Sequence, residues 1–372
     1  MLCKGYAASS GDAPLRPFTF ERREPRMHDV LIDILFCGIC HSDVHQARDE
    51  WGTSIFPMVP GHEIVGRVAD TGAGVTRFTS GDLVGVGCFV ESCRTCPACL
   101  AGDEHFCAEY PIMTYNAYQR DGTTPTYGGY SDKIVVDEDY VVRVPSELSP
   151  AAAAPLLCAG VTTYSPLRHW GAGEHSAVGV VGLGGLGHVA VKLAAAMGAK
   201  VTVLSSSERK RADAVRLGAS DYAVTDGSDT RKRLASHFDL ILNTVSATAD
   251  LDRLMQLVAA DGTMVLLGVA DGPISMPATP FMKRRRLSGS MIGSMRETQE
   301  TLDFCADRVR RVRCSGGRTH NRGSQHSGES PRSSTRAPNR GDRHAGSRAI
   351  ESHGHVIYDT RMTSRMRIRH QE

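Results

Sequence analysis

The sequence lacks the features that would direct the protein to a membrane or out of the cytoplasm. No apolar run approaches the about twenty residues of a membrane-spanning helix, and no charged-then-apolar leader opens the chain. The formal net charge is only +2, so net charge indicates no class of partner. We therefore expect a cytoplasmic protein without a membrane partner. At 372 residues, the chain is long for one domain and suggests two.

The last part of the chain lacks what a hydrophobic core requires. No leucine follows Leu302 and no phenylalanine follows Phe304, while Arg, Ser, Gly and His dominate from Arg308 to Glu372. Ordering a residue costs roughly 1–2 kcal/mol of backbone entropy, and little apolar surface is present to offset it. We predict that residues 308–372 are disordered or translated from a shifted reading frame. The alternative is an Arg-rich arm that binds nucleic acid, although the segment lacks lysine and interleaved aromatic residues.

The eleven cysteines are clustered rather than spread along the chain. Cys93, Cys96 and Cys99 follow one another closely, and Cys107 comes after a short gap. In a reducing cytoplasm this clustering favours a metal over disulfides. Four thiolates close a tetrahedral zinc shell with no open position. The spacing therefore predicts a structural zinc site, with four reduced cysteines that cluster by chance as the alternative.

Two patterns of secondary structure divide the chain. Residues 1–151 contain short strands separated by Gly, Pro, Asp and Ser turns, which is typical of an antiparallel, barrel-like domain. Strands and helices alternate over residues 152–293, which is typical of a doubly wound parallel sheet. The expected fold class is α/β plus mainly-β, an antiparallel barrel-like domain with a doubly wound Rossmann domain. Residues 294–307 are expected to form a helix, and the family resemblance described below implies that it leads back to the first domain.

The strands that carry this interpretation are short and apolar. In the first domain they include Val30–Leu35, Ile64–Val68 and Lys133–Val136. In the second domain they are Ala177–Val181, Val201–Leu204, Tyr222–Val224, Phe238–Leu242, Thr263–Leu267 and Leu287–Ile292.

A glycine-rich turn lies between the predicted strand Ala177–Val181 and the predicted helix His188–Met197. Its sequence, Gly-Leu-Gly-Gly-Leu-Gly, matches the dinucleotide-binding pattern in the expected strand-to-helix context. The first glycine permits the tight turn, the second lets the backbone approach a pyrophosphate, and the last lets helix and strand pack closely. The cofactor-binding residues predicted here are Gly182, Gly184, Gly185, Leu186 and Gly187.

The end of the next strand indicates which dinucleotide is bound. NAD enzymes carry an acidic residue there, whereas this chain has Ser205–Ser207 followed by Arg209 and Lys210. Hydroxyls and cations suit a 2′-phosphate, so the sequence predicts NADP(H). The alternative is an ordinary solvated helix start with Ser207 as its cap.

A second concentration of reactive groups follows the strand Val30–Leu35. Residues Cys40 to His45 combine a thiol, two imidazoles, a hydroxyl and a carboxylate, which can hold a metal and move protons. Gly61-His62-Glu63 and Cys158 are weaker signals by themselves. A lone histidine is often structural, and an isolated cysteine is often a small buried apolar residue.

In chain order, these motifs resemble those of the zinc-dependent medium-chain alcohol dehydrogenases. The resemblance rests on Gly-Ile-Cys-His-Ser-Asp-Val-His, Gly-His-Glu, the four-cysteine cluster, Leu-Leu-Cys-Ala-Gly and Gly-Leu-Gly-Gly-Leu-Gly. In particular, they resemble the NADP(H)-dependent cinnamyl-alcohol-dehydrogenase type, which includes bacterial broad-range aldehyde reductases. The resemblance runs from about residue 4 to about residue 307.

The resemblance implies a GroES-like catalytic domain, two zinc ions per chain, and hydride transfer between NADP(H) and a primary alcohol or aldehyde, aromatic or of medium length. The implied ligands are Cys40, His62 and Cys158 for a catalytic zinc, and Cys93, Cys96, Cys99 and Cys107 for a structural zinc. The other implied residues are Glu63 beside the metal, Asp43 orienting His62, Ser42 and His45 in a proton relay, Trp51 and Phe89 in the substrate pocket, and Ser206, Ser207 and Lys210 at the 2′-phosphate.

The resemblance also implies a homodimer or larger homo-oligomer, with the strand Leu287–Ile292 near the interface. It ends near Arg308, since the family's returning strand, helix and final strand are not recognisable in Val309–Glu372. The alternative to an active enzyme is therefore an inactive remnant that still binds zinc and NADP.

Overall fold

The structure is a computed structural model that describes residues 1–225, 227–246, 251–268, 272–315 and 357–359. Its strands are β1 Leu2–Ala7, β2 Arg16–Glu21, β3 Asp29–Gly38, β4 Ile64–Thr71, β5 Leu83–Val86, β6 Phe89–Glu91, β7 Ile112–Met113, β8 Lys133–Asp137, β9 Val142–Arg143, β10 Ala177–Val181, β11 Lys200–Ser205, β12 Asp221–Val224, β13 Phe238–Asn243, β14 Val258–Leu266, β15 Arg286–Gly289 and β16 Ile357–Asp359. Its α-helices are α1 His41–Ala47, α2 Pro97–Leu100, α3 Pro150–Ala153, α4 Ala159–His169, α5 Gly185–Ala196, α6 Arg211–Leu217, α7 Ser228–Leu234, α8 Leu251–Leu257 and α9 Met295–Ser315.

A six-stranded parallel sheet forms the second half of the described chain, in the order β12, β11, β10, β13, β14, β15. Val178 and Val180 on the central strand β10 are completely buried, because helices cover a parallel sheet on both faces. Burying each valine contributes roughly 1.5–3 kcal/mol. The strand order reverses between β10 and β13, and such a switch point is where doubly wound sheets bind ligands.

An antiparallel sheet organises the first half around β3. Strand β3 pairs with β4 along one edge, and with β8 and β16 along the other. Val30, Ile32 and Ile34 are buried along one face of β3 with more exposed residues between them, as the two-residue period of a strand requires. The strand ends at Gly38, so the chain reaches Cys40 at the start of α1.

Helix α9 joins the two halves of the molecule. Its Leu302 and Ala306 are buried in one apolar cluster with Val65 of β4 and Val142 of β9. The antiparallel sheet is therefore packed against the part of this helix that precedes residue 308.

The end of the chain differs from the prediction at two places. Helix α9 continues to Ser315, beyond the predicted end at residue 307. Val309 packs against the apolar cluster and Arg310 donates to Glu147 at 2.8 Å, which explains the extension. Residues 357–359 form β16, which pairs with Phe36–Gly38. The predicted disorder of residues 316–356 and 360–372 lies outside the described residues.

Most predicted strands lie within observed ones, and Ala177–Val181 coincides with β10. The predicted strand Leu287–Ile292 is too long, since β15 ends at Gly289 and Ile292 has a positive φ of 56° that breaks the extended conformation. Helices α1, α2, α3, α4 and α7 were not predicted. No helix among the described residues is long and apolar enough to cross a lipid bilayer.

Candidate metal and nucleotide sites

Cys40 occupies the cap position between β3 and α1. Its backbone N–H donates to Asp43 Oδ2 at 2.8 Å, which closes the first turn of the helix. Its Sγ lies 3.9 Å from Cys158 Sγ and donates to Ser42 Oγ at 3.7 Å. Cys158 itself sits at the junction of a short 3₁₀ helix and α4. Two thiols distant in sequence therefore meet because a strand end and a helix start face each other.

A group of four side chains converges at this junction. Ligand atoms of Cys40, His62, Glu63 and Cys158 all lie within 4.8 Å of one another. His62 Nε2 and both carboxylate oxygens of Glu63 are buried without a hydrogen-bond partner. Buried polar atoms without partners carry a large desolvation cost, so this donor set fits a metal cation.

The close packing around Glu63 explains the glycine at the end of β3. A Cβ at position 38 would lie 1.8 Å from Glu63 Oε2. Gly38 N–H donates to the Glu63 carbonyl at 2.9 Å. Burial raises the pKa of Glu63 well above its ordinary value, as expected for a carboxylate without a compensating cation.

The thiols of the group influence one another. A hydrogen bond with Cys158 lowers the pKa of Cys40 well below its ordinary value, and the same contact raises the pKa of Cys158. For His62, burial lowers the pKa, but the charges of Cys88 and Asp43 outweigh it and the net pKa is raised. Surroundings that favour a positive imidazole also favour a metal cation.

Asp43 lies directly behind His62. Its Oδ1 accepts from Gly61 N–H at 3.0 Å and lies 3.6 Å from His62 Nδ1. The imidazole therefore turns Nδ1 toward the carboxylate and Nε2 toward the two thiols. This is the arrangement by which a carboxylate fixes the tautomer of a metal-binding histidine.

The two predicted relay residues lie one turn apart on α1. Ser42 contacts Cys40 through its hydroxyl, and His45 Nδ1 is hydrogen-bonded to the carboxylate of Glu50. The ring of His45 stacks on Trp51 with a centroid separation of 5.0 Å. Glu50 was not predicted as a site residue. An acidic residue shortly after His45 was the available signal.

The two predicted pocket residues lie in different surroundings. Trp51 is 36% exposed beside His45. Phe89 is only 2% exposed and packs edge-to-face on Tyr140 in the core. The structure therefore does not bring Phe89 to an open surface beside Trp51.

The four-cysteine cluster forms a second compact group. The Sγ atoms of Cys93, Cys96, Cys99 and Cys107 all lie within 4.8 Å of one another. Backbone N–H groups of Thr95 and Cys96 lower the pKa of Cys93 to about 6, and Cys107 Sγ accepts from Cys93 N–H at 3.3 Å. Amide donors that stabilise thiolates are typical of a cysteine-bound metal. Four thiol ligands, which leave no coordination position open, fit a structural zinc.

The glycine-rich turn has the shape of a phosphate cradle. Gly182 adopts a positive φ of 85°, and a Cβ at Gly187 would lie 2.2 Å from the Gly182 carbonyl oxygen. A Cβ at Gly184, in contrast, would meet nothing within 4 Å. Helix α5 begins at Gly185, with Leu186 in its first turn. Open space in front of a helix N-terminus fits the pyrophosphate of a dinucleotide.

The predicted 2′-phosphate residues follow β11. Ser206 and Lys210 are exposed and Ser207 is partly exposed, and Lys210 Nζ donates to the Leu183 carbonyl in the glycine-rich turn at 3.0 Å. The carboxylate of Glu208 is held by Arg211 at 2.7 Å. The loop therefore holds the Lys210 ammonium against the turn, while the carboxylate of Glu208 is paired with Arg211.

Comparisons with known proteins agree with this architecture. The chain matches the alcohol dehydrogenase GroES-like domain over residues 26–146 and the zinc-binding dehydrogenase domain over residues 185–307. It is 58% identical over 304 residues to NADP-dependent alcohol dehydrogenase C 1 of Mycolicibacterium smegmatis, covering 81% of this chain and 87% of that protein. It is 50% identical over 311 residues to the aldehyde reductase YahK of Escherichia coli, covering 82% and 88%.

Among solved structures, the cinnamyl alcohol dehydrogenase of Sorghum bicolor is similar with a TM-score of 0.80 and 44% identity, covering 82% of this chain and 88% of that one. The corresponding enzyme of Helicobacter pylori, solved with NADP(H), gives a TM-score of 0.77 and 41% identity, covering 83% and 88%. The chain belongs to the zinc-binding, medium-chain alcohol dehydrogenase family. The predicted family and fold class are confirmed.

Proposed function

We propose that the chain is a zinc- and NADP(H)-dependent oxidoreductase that transfers a hydride between the cofactor and a primary alcohol or aldehyde. The observation that carries the proposal is the convergence of Cys40, His62 and Cys158 on one buried group in which His62 Nε2 has no partner. Two thiolates and one imidazole are the donor set of catalytic zinc in alcohol dehydrogenases. The NADP-dependent and aldehyde-reducing relatives support the same activity.

The three ligands leave one coordination position for substrate. Zinc held there supplies a Lewis acid that makes an alcohol more acidic and a carbonyl more electrophilic. Asp43 orients the imidazole of His62, and the unpartnered carboxylate of Glu63 is placed to approach the metal during ligand exchange.

Proton movement is assigned to the chain's own groups on α1. The Ser42 hydroxyl lies against Cys40, next to where a substrate oxygen would bind. Because Glu50 accepts from Nδ1 of His45, the imidazole keeps Nε2 free to take up or release a proton. We propose that Ser42 and His45 are the two ends of the proton relay, between which the ribose hydroxyls of a bound cofactor would lie.

The cofactor is proposed to lie along the carboxyl end of β10. The turn Gly182–Gly187 and the start of α5 would hold its pyrophosphate, while Ser206, Ser207 and Lys210 would hold the 2′-phosphate. The cation at Lys210 and the pairing of Glu208 with Arg211 support NADP(H) over NAD(H). The cysteines at 93, 96, 99 and 107 are proposed to hold a second, structural zinc.

The substrate, assembly and location remain proposals. The relatives named cinnamyl alcohol dehydrogenase and aldehyde reductase support an aromatic or medium-chain alcohol or aldehyde as substrate, and Trp51 is the proposed pocket residue with an exposed ring.

A homodimer is proposed through β15, which is the edge strand of the described parallel sheet. Cytoplasmic location is supported by the described cysteines, which are free of disulfides.

A remnant that binds zinc and NADP without turnover is the second candidate. It is favoured by one observation, the end of the family match at residue 307. We propose the domain limits 1–151, 152–293 and 294–307, which the separation of the antiparallel and parallel sheets along the chain supports. Nucleic-acid binding through the Arg-rich segment is not proposed.

Oxidation of NADPH with an aromatic aldehyde separates the two candidates. The active enzyme consumes NADPH only when aldehyde is present, and loses this activity in Cys40→Ala and Ser42→Ala. Cys305→Ala is the matched control, because Cys305 lies outside both cysteine groups. Full zinc content without aldehyde-dependent oxidation in the unaltered chain would support the remnant.

A further inference from the structure

The carboxylate of Asp43 is bonded to a tyrosine as well as to the backbone. Tyr130 donates its hydroxyl to Asp43 Oδ2 at 3.3 Å. Asp43 and Tyr130 are 3% and 2% exposed. A carboxylate buried to this degree needs several donors to offset its desolvation, and the phenol supplies a donor beyond the amides of Cys40 and Gly61.

Tyr115 also makes a direct contact with a proposed metal ligand. Its ring lies parallel to the imidazole of His62, with a centroid separation of 5.6 Å and an interplanar angle of 8°. The contact between His62 Nδ1 and Asp43 Oδ1 is 3.6 Å, longer than an ordinary hydrogen bond. The plane of the imidazole is therefore constrained by the parallel ring as well as by the carboxylate.

The two tyrosines come from different places in the chain. Tyr115 follows β7 and Tyr130 precedes β8, whereas Asp43 lies on α1. The backbone of Tyr130 is itself fixed, since its N–H donates to the Pro60 carbonyl at 2.9 Å and its carbonyl accepts from Tyr6 N–H at 2.9 Å. Tyr130 thus ties α1 to the segment that carries His62.

We propose that Tyr115 and Tyr130 are positioning residues of the metal centre: the Tyr130 hydroxyl holds Asp43, and the Tyr115 ring holds the imidazole of His62 in the orientation that binds zinc. Neither tyrosine touches the reacting atoms. The inference rests on the proposed metal site at Cys40, His62 and Cys158.

The test measures zinc release from the purified full-length chain to a chromogenic chelator. Tyr130→Phe removes the hydroxyl that binds Asp43, Tyr115→Leu removes the stacked ring, and Tyr115→Phe keeps that ring. Contacts behind metal ligands typically change metal affinity 10- to 100-fold. We therefore expect release from one of two zinc sites to be about 10-fold faster in Tyr130→Phe, about 100-fold faster in Tyr115→Leu and nearly unchanged in Tyr115→Phe.

Tyr164→Phe is the matched control, because Tyr164 is a buried tyrosine whose ring packs on Phe304, away from both cysteine groups. It should release zinc like the unaltered chain. Wild-type release rates in both Tyr130→Phe and Tyr115→Leu would overturn the inference, as would equal acceleration at both zinc sites together with a lowered melting temperature, since that pattern reports general loosening of the fold.

Cobalt substitution supplies a second readout. The visible spectrum of cobalt bound in place of the releasable zinc should shift in Tyr115→Leu and remain unchanged in Tyr164→Phe, because it reports ligand orientation rather than stability. An unaltered chain that holds only one zinc would instead contradict the proposed function itself, so the two failures are distinguishable.

Discussion

Glu50 is a single carboxylate that determines which nitrogen of His45 carries the proton. The hydrogen bond at Nδ1 leaves Nε2 as the exchanging atom, and Arg48 lies 3.7 Å from the same carboxyl group. Positioned proton transfer contributes about 10²–10⁴-fold to a rate. A residue that only orients the transferring group should account for the lower end of that range.

We expect Glu50→Gln to lower kcat of alcohol oxidation by about 10- to 100-fold with little change in KM. Steady-state kinetics would measure both constants, with Glu174→Gln, an exposed glutamate in a distant turn, as control. An unchanged kcat would remove Glu50 from the relay.

Lys210 is the proposed contact to the 2′-phosphate, a group that only one of the two dinucleotides carries. Hydrogen bonds to charged groups contribute roughly 1.5–3 kcal/mol, which corresponds to about 10- to 100-fold in binding. We expect Lys210→Ala to raise KM for NADPH by about this factor and to leave KM for NADH nearly unchanged. Lys200→Ala, at the opposite end of β11, serves as control; equal losses for both cofactors would contradict the assignment.

The side chains of both candidate metal groups could be found at the residue scale because they fall in short motifs with fixed spacing. Glu50, Tyr115 and Tyr130 were not, because their roles depend on partners that only the fold brings close. Tyr130 and Asp43 are separated by 87 positions in sequence. Nothing in the local pattern around either tyrosine indicates that contact.

The entry into strand β3 depends on two carboxylates. Burial raises the pKa of Asp29, but the hydrogen bonds from Arg23 and from Arg26 N–H outweigh it, and the net pKa is lowered. For Glu138, burial likewise raises the pKa, and the N–H groups of Arg77 and Thr76 reverse it. Both groups therefore bind protons less readily in the folded chain than in the unfolded chain.

A depressed folded-state pKa contributes stability that is present above the unfolded value and lost as the pH falls through the folded value. The unfolded values are about 3.9 for Asp and about 4.3 for Glu. We expect the melting temperature to fall as pH is lowered below about 4, and to fall less steeply in Asp29→Asn and Glu138→Gln. Parallel pH curves for all three proteins would contradict this account.

Elements with a strong apolar period were predicted well, as β3 and β10 show. The limits of elements were predicted less well where tertiary contacts decide them. Helix α9 extends because Val309 and Arg310 find partners on the catalytic-domain side. Strand β16 is stabilised by pairing with β3 at Phe36–Gly38. The sequence of residues 357–359 does not reveal this pairing.

Strand β16 covers this edge two residues before Cys40. We expect a chain ending at residue 315 to melt at lower temperature and to lose the releasable zinc faster than a chain ending at residue 359, which keeps β16. Thermal unfolding and zinc analysis of the two truncated chains and the full chain would measure this. Identical behaviour of the two truncated chains would show that β16 contributes nothing.

At the scale of the whole molecule, the two sheets are joined before the sequence departs from its family. Leu302 and Ala306 of α9 contact the antiparallel sheet, and Cys158 reaches the metal group from the start of α4. All the proposed ligands and relay residues lie upstream of residue 307. We therefore expect the 372-residue chain to have an assembled, active site.

Transfer of deuterium from NADPH labelled with deuterium at C4 of the nicotinamide tests this central claim most directly. With an aromatic aldehyde and the purified full-length chain, mass spectrometry should find alcohol carrying one deuterium at C1, and none should form with Cys40→Ala. Absence of labelled alcohol from a chain that holds two zinc ions, or alcohol formed without deuterium, would contradict it.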